Sequence, residues 1–229
     1  MNILPRIAYS IFTCMCILLC GCETDSLFRG YRLLRRGQYD RAINQFTYYI
    51  NHSNDREYNV EERAAGYFYR GLAFTLTNNI EPAILDYKAA LLRKPDYFYA
   101  SFNLGVVYLN MERYIEAKDC LTNAWAGVVK AKKGKLNDSK LWNRDVLEKD
   151  GAWCFQYCGI MLAKARDFEG LKRLFDEAEE LSFMPKTESG IRVITMLEAA
   201  MKGSLENGDL SEFIQDWIKE RKDHPIRMK

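Results

Sequence analysis

An all-α solenoid of helical hairpins is what this sequence predicts, and three observations carry the prediction. Gly71 and Gly105, Phe68 and Phe102, Phe74 and Tyr108, Ala83 and Ala117, and Ala90 and Ala124 each stand 34 residues apart, a period typical of stacked helical repeats. The small residues recur beside large ones, the arrangement two closely crossing helix backbones need, and Pro95 falls where a helix must stop. No segment alternates with the period of a strand.

The elements follow from the N-terminus. Ile7 to Cys20 carries no charge and follows a short stretch whose charged side chain is Arg6. As a helix it would be roughly 21 Å long, short of the ~30 Å hydrocarbon core, so it reads as the apolar part of a signal peptide rather than a spanning helix. The run ends in Leu19-Cys20-Gly21-Cys22, which resembles the processing site of bacterial lipoproteins. That resemblance implies cleavage of residues 1–21 and acyl chains on Cys22. Because each buried CH₂ contributes about 0.8 kcal/mol, two or more chains make attachment persistent. Glu23 stands where enteric inner-membrane lipoproteins tend to carry aspartate, so the expected place is the outer membrane, facing the periplasm.

Cleavage would remove 21 of 229 residues and one arginine, leaving 32 Lys+Arg against 31 Asp+Glu. Near-neutrality argues against a nucleic-acid binder. A chain this long buries roughly 70% of its unfolded surface and needs no staples.

Residues 63–129 hold two well-matched units. In the first, Tyr67, Gly71, Phe74, Ala83, Tyr87, Ala90 and Pro95 recur at spacings that resemble the tetratricopeptide repeat (TPR), with Arg70 in place of its leucine; in the second, Leu104, Gly105, Tyr108, Tyr114, Ala117 and Ala124 fit, with Leu121 at the inner aromatic position. The resemblance implies paired antiparallel helices stacked so that the first helices line a concave groove. Residues 22–62 combine the lipid attachment site with a degenerate copy (Gly30, Leu33, Gly37, Tyr39, Ala42, Phe46, and Tyr49 in the last alanine slot) and a polar connection. Another degenerate copy spans 151–185, through Gly159, Phe168, Leu171, Phe175 and Ala178. Residues 186–229 form a C-terminal helical pair, a candidate capping repeat through Leu197, Gly208, Leu210, Trp217 and Pro225, for three to five repeats in all.

Between the second and third of these, 130–150 is a Lys-rich insertion. The plain reading is a lengthened helix and solvated loop; the sharper one makes Lys130, Lys132, Lys133 and Lys135, with Lys140, contacts for anionic lipid head groups or an acidic partner.

The residues offer little for catalysis. His52 and His224 lie in no metal or nucleophile motif, and no phosphate-binding glycine loop, HExxH or GxSxG occurs. No cofactor, metal or nucleic acid is expected. Cys154 and Cys158, four apart on a helix, could suggest metal or redox chemistry, but Cys158 fills an inward leucine slot, so these and Cys120 read as small buried hydrophobes.

The expected partner-binding groove is apolar: Tyr31, Phe68, Leu72, Tyr99, Phe102, Val106 and Trp153, with Leu27, Leu34, Thr75, Leu109, Gln156 and Ile160. Such a surface marks a partner site, or is covered by the chain's own curvature or by the helix around Phe213 and Trp217. The expectation is therefore a membrane-anchored, envelope-facing adaptor for another protein or peptide. The resemblance to TPR lipoproteins places such adaptors in outer-membrane, pilus or peptidoglycan machinery, with homo-oligomers left open. The alternative is a module binding a small apolar or lipid-like ligand in the groove.

Overall fold

The structure, a computed structural model, describes residues 26–53, 60–134, 144–184, 186–204 and 207–222. Cys22, Lys135, Lys140, His224 and Pro225 lie outside these. The described residues form helices and turns with no strand: α1 (26–35), α2 (Tyr39–His52), α3 (Val60–Leu76), α4 (Ile80–Arg93), α5 (Phe98–Asn110), α6 (Tyr114–Lys132), α7 (Arg144–Lys164), α8 (Phe168–Glu180), α9 (Glu188–Met201) and α10 (Asn207–Lys222). No helix among the described residues is long and apolar enough to cross a membrane. The chain divides into two compact units, 1–95 and 96–229.

In the first unit α1 turns Ser26, Gly30 and Leu34 inward at four-residue intervals, and α2 answers with Ala42, Phe46, Tyr49 and Ile50. Gly30 lies flat on the Phe46 ring, where a Cβ would come within 2.5 Å of it. The α3/α4 pair repeats the device, with Gly71 against Asp86 and Tyr87. Tyr49 fills a slot the pattern gives to alanine, and the space comes from the facing helix: a Cβ on Gly66 of α3 would meet the Tyr49 ring at 2.9 Å.

Arg70, the departure from the pattern's leucine, is a bridge. Its Nε and Nη2 donate to the two Asp86 carboxylate oxygens at 2.7 Å each, and its Nη1 donates to Thr47 Oγ1 at 3.1 Å.

In the second unit, Gly105 of α5 crosses α6 at Leu121. α6 and α7 have 19 and 21 residues against 14 and 13 in α4 and α5, and residues 130–132 and 144–150 of the insertion belong to these longer helices. α7 is the hub: Phe155 is edge-on to both Trp125 of α6 (6.2 Å) and Phe175 of α8 (5.2 Å), and Gly159 receives Leu197 of α9. Trp217 of α10 reaches Tyr157, also on α7, ring to ring at 4.6 Å.

Each of the five hairpins turns through one left-handed residue: Gly37, Asn78, Glu112, Arg166 and Gly203, with φ from 55° to 73°. At every one the following amide donates back over five residues, as Gln38 to Leu33, Asn79 to Phe74, Arg113 to Tyr108, Asp167 to Leu162 and Ser204 to Ala199, the paired-bond helix stop. The fifth hairpin turns at Gly203, while Gly208 faces open space. Glycine and asparagine tolerate this conformation; glutamate does so at a cost of about 1–2 kcal/mol. Part of that gain is offset by glycine's freer unfolded chain, so Glu112→Gly is expected to stabilise by about 0.5–1 kcal/mol, read as a raised urea midpoint. A lowered midpoint would contradict this account of the turn.

Candidate protein-interaction surface

The predicted groove residues separate into two groups. In the first unit Phe68 and Leu72 are core, 1% and 6% exposed, and Phe68 packs against the Tyr69 and Tyr87 rings at 5.2 and 6.0 Å. Tyr31 is half-buried, edge-on to Tyr69 at 5.3 Å. Burial pushes the Tyr69 hydroxyl pKa up to about 12, with Tyr31 adding to the rise. Thr75 Oγ1 and Tyr87 Oη share a hydrogen bond of 2.9 Å.

In the second unit the aromatics form a ladder. Phe98 stacks on Phe102 at 5.6 Å, Phe102 meets the edge of Tyr157 at 5.3 Å, and Tyr157 meets Trp217. α10 thus lies over this part of the ladder. Phe102 and Tyr157 are buried, so Phe102, like Phe68 and Leu72, is not the open surface its position on a first helix suggested. Leu109, Gln156 and Ile160 are buried too.

What stays accessible is the end of the ladder. Trp153, one turn before Tyr157 and 6.3 Å from it, is 44% exposed, and Tyr99 and Val106 are half-buried. The Tyr99 side chain is held at its hydroxyl, which donates to Asp150 Oδ2 at 3.0 Å, while its backbone carbonyl accepts from Asn103 Nδ2 at 2.8 Å. An exposed tryptophan one turn after the aspartate that holds a tyrosine hydroxyl has the composition of an interface hot spot. Of the two residues that organise this end, Trp217 lies on the helix the sequence offered as a cover for the groove, and Tyr157 did not figure among the predicted residues. The four-residue spacing of Trp153 and Tyr157 places them on one helix face and was the available signal.

Two of the four predicted lysines have contacts within the unit. Lys133 pairs with Glu180 at 3.3 Å and Lys132 lies over the Phe183 ring at 5.0 Å, while Lys130 is exposed and Lys135 lies outside the described residues. An anion would have to compete with these contacts.

Among the described residues no three His, Cys, Asp or Glu side chains group as a metal site. Cys154 and Cys158 are fully buried, and burial pushes both thiols well above their ordinary range, so they stay protonated and unreactive. His52 stacks on Tyr48 and its Nδ1 lies 2.7 Å from the Tyr48 carbonyl.

No family model matches the chain, and no curated protein matches it. Among solved structures, a crystal structure of MamA is 16% identical and covers 70% of this chain and 78% of its own, with a TM-score of 0.50. A structure of a MamA RS-1 double mutant is 16% identical and covers 88% and 97%, with a TM-score of 0.53. One of Pseudomonas aeruginosa pilF overlays more loosely, at 14% identity and a TM-score of 0.41, covering 89% and 93%. The fold is thus an all-α TPR helical-hairpin solenoid, and at this identity the likeness is one of fold.

Proposed function

We propose that this TPR chain is a membrane-anchored scaffold that binds another envelope protein and has no chemistry of its own. Acyl chains on Cys22 hold it at the outer membrane, facing the periplasm, and the partner docks at the Trp153 end of the aromatic ladder. The observation that supports this reading is the exposed Trp153 ring one turn after Asp150, the residue that accepts from the Tyr99 hydroxyl. Large rigid aromatics give contact area at little entropic cost, which is why they dominate binding energy where proteins meet. Of the three contacts the apolar-ligand alternative expects, Phe68 and Phe102 are enclosed by protein side chains and Trp153 is open, so protein docking at Trp153 is the reading preferred here.

The experiment places a photoreactive residue at Trp153 in native membranes, with the same residue at Phe102 as the control. One dominant protein is expected to cross-link from position 153, and only links within the chain from position 102. Links within the chain from both positions would end the docking reading. Cys22→Ser tests the anchor: the protein is expected to leave the membrane or be mislocalised, and retention equal to wild type sinks that part.

A further inference from the structure

The first hairpin concentrates charge that the rest of the chain lacks. Between residues 26 and 53 stand Arg29, Arg32, Arg35, Arg36 and Arg41 against Asp40, in a chain whose net charge is +2, so the remainder is net negative. The basic residues are all arginine, the side chain suited to two-pronged contact with phosphate.

They are also placed on one side. Ser26, Gly30 and Leu34 face inward, which turns Phe28, Arg29, Arg32 and Arg35 outward together, with Arg36 at the helix end; all five are exposed, Phe28 at 67%. An exposed aromatic ring among cations suits the surface of an anionic membrane, even with Glu23 and Asp25 just ahead of the helix. Beside it α1 and α2 enclose a cleft of about 350 Å³ lined by Arg29, Leu33, Arg41, Asn44 and Gln45. Arg29 and Arg41, with the Asn44 and Gln45 amides, bring phosphate donors to a cleft whose own surface is mainly apolar, a combination that suits a lipid head group rather than a bare ion. Arg41 Nη1 donates to Gln38 Oε1 at 2.9 Å, which keeps it at the cleft. Ser26 is four positions from Cys22, so an acylated Cys22 would hold the start of α1 within about 14 Å of the bilayer surface.

We propose that the outer face of α1 docks flat on an anionic membrane, with a phospholipid head-group phosphate in the Arg29/Arg41 cleft and Phe28 among the head groups. The 14 Å tether rests on the anchored reading above; the charge and the cleft do not. Docking would fix the orientation of the first unit on the membrane, where a bare acyl tether would leave it free to turn.

The test reconstitutes the full chain in vesicles of phosphatidylcholine alone and of phosphatidylcholine with phosphatidylglycerol. Arginines are then modified with a glyoxal reagent and read peptide by peptide by mass spectrometry. Labelling of Arg29, Arg32 and Arg41 is expected to slow at least about fivefold in the anionic vesicles, with Arg173 unchanged as the standard, and to recover in high salt. In the doubly substituted Arg29→Gln, Arg41→Gln chain, whose exposed positions leave the fold intact by circular dichroism, Arg32 is expected to lose its protection. Equal labelling in the two vesicle types overturns the proposal. Protection by inorganic phosphate in phosphatidylcholine vesicles, at the level the anionic vesicles give, would make a free phosphate the ligand and overturn it too. Protection confined to native membranes would assign the face to a protein partner instead. Acylation is scored separately, from the mass of the N-terminal peptide, so a chain without lipid and a chain that does not dock give different results.

Discussion

Arg70→Leu, which restores the residue the repeat pattern calls for, is expected to destabilise the first unit by about 3–5 kcal/mol. The reason lies in Asp86, whose side chain is 6% exposed and whose two oxygens both accept from Arg70. Burial pushes the Asp86 carboxyl up even against the opposing pull of Arg70. Removing the guanidinium strands the carboxylate among apolar neighbours. The pH dependence follows from the direction of that shift. Without Arg70 the folded carboxyl holds its proton more tightly than the unfolded one, so the deficit is largest near neutrality and shrinks as pH falls towards the ordinary carboxylate value of about 4. Urea titrations at both pH values measure it. Arg70→Leu combined with Asp86→Ala removes both charges and is expected to recover most of the loss. A single variant as stable as wild type, or a deficit that does not change with pH, would show that the pair is not what holds α3 to α4.

The hairpins were legible because their geometry is imposed by contact. Gly30 and Phe46, Gly71 and Tyr87, and Gly105 and Leu121 stand 16 apart in sequence and touch across one helix crossing. A side chain larger than hydrogen at the first position cannot share that space with the second. The relation blurs at Gly159, whose missing Cβ faces Leu197 and Leu174 rather than Phe175; there a helix from beyond the hairpin, α9, has taken the position. The turns were half legible. Gly37 and Gly203 announce a left-handed residue, whereas Glu112 and Arg166 hold the same conformation with no compositional mark.

The candidate site was harder to read for a different reason. Position on a first helix says which way Phe102 points, but its exposure depends on what lies over it, and that is Tyr157 backed by Trp217, some 55 and 115 residues downstream. The helix around Trp217 was one of the covers the sequence offered, but no local pattern decides whether it returns. Charge is hard to read for a similar reason. Lys130 to Lys135 form a run that draws the eye, yet two of them are held by Glu180 and Phe183, while the arginines of α1 are scattered in sequence and assemble only on a helical face.

Gly105→Leu is the second large effect, expected to cost about 3 kcal/mol or more. Even a bare Cβ at this position would lie 2.7 Å from Leu121 Cγ, 3.0 Å from Leu121 Cδ2 and 3.3 Å from Cys120 Cβ. Leu121 is completely buried, as are Ala117 and Ala124 on either side of it, so it has no free direction in which to give way. Relief requires that α5 and α6 move apart, which would open the contacts of Ser101 as well, whose hydroxyl accepts from Asn123 Nδ2 at 2.8 Å. The compensating change is specific. Leu121→Ala alone is expected to cost about 2–5 kcal/mol by leaving a cavity, yet combined with Gly105→Leu it removes the obstructing atoms and fills their space, so the double variant should be more stable than either single one. A double variant whose losses simply add would mean that the two residues do not meet and that the α5/α6 crossing is set elsewhere.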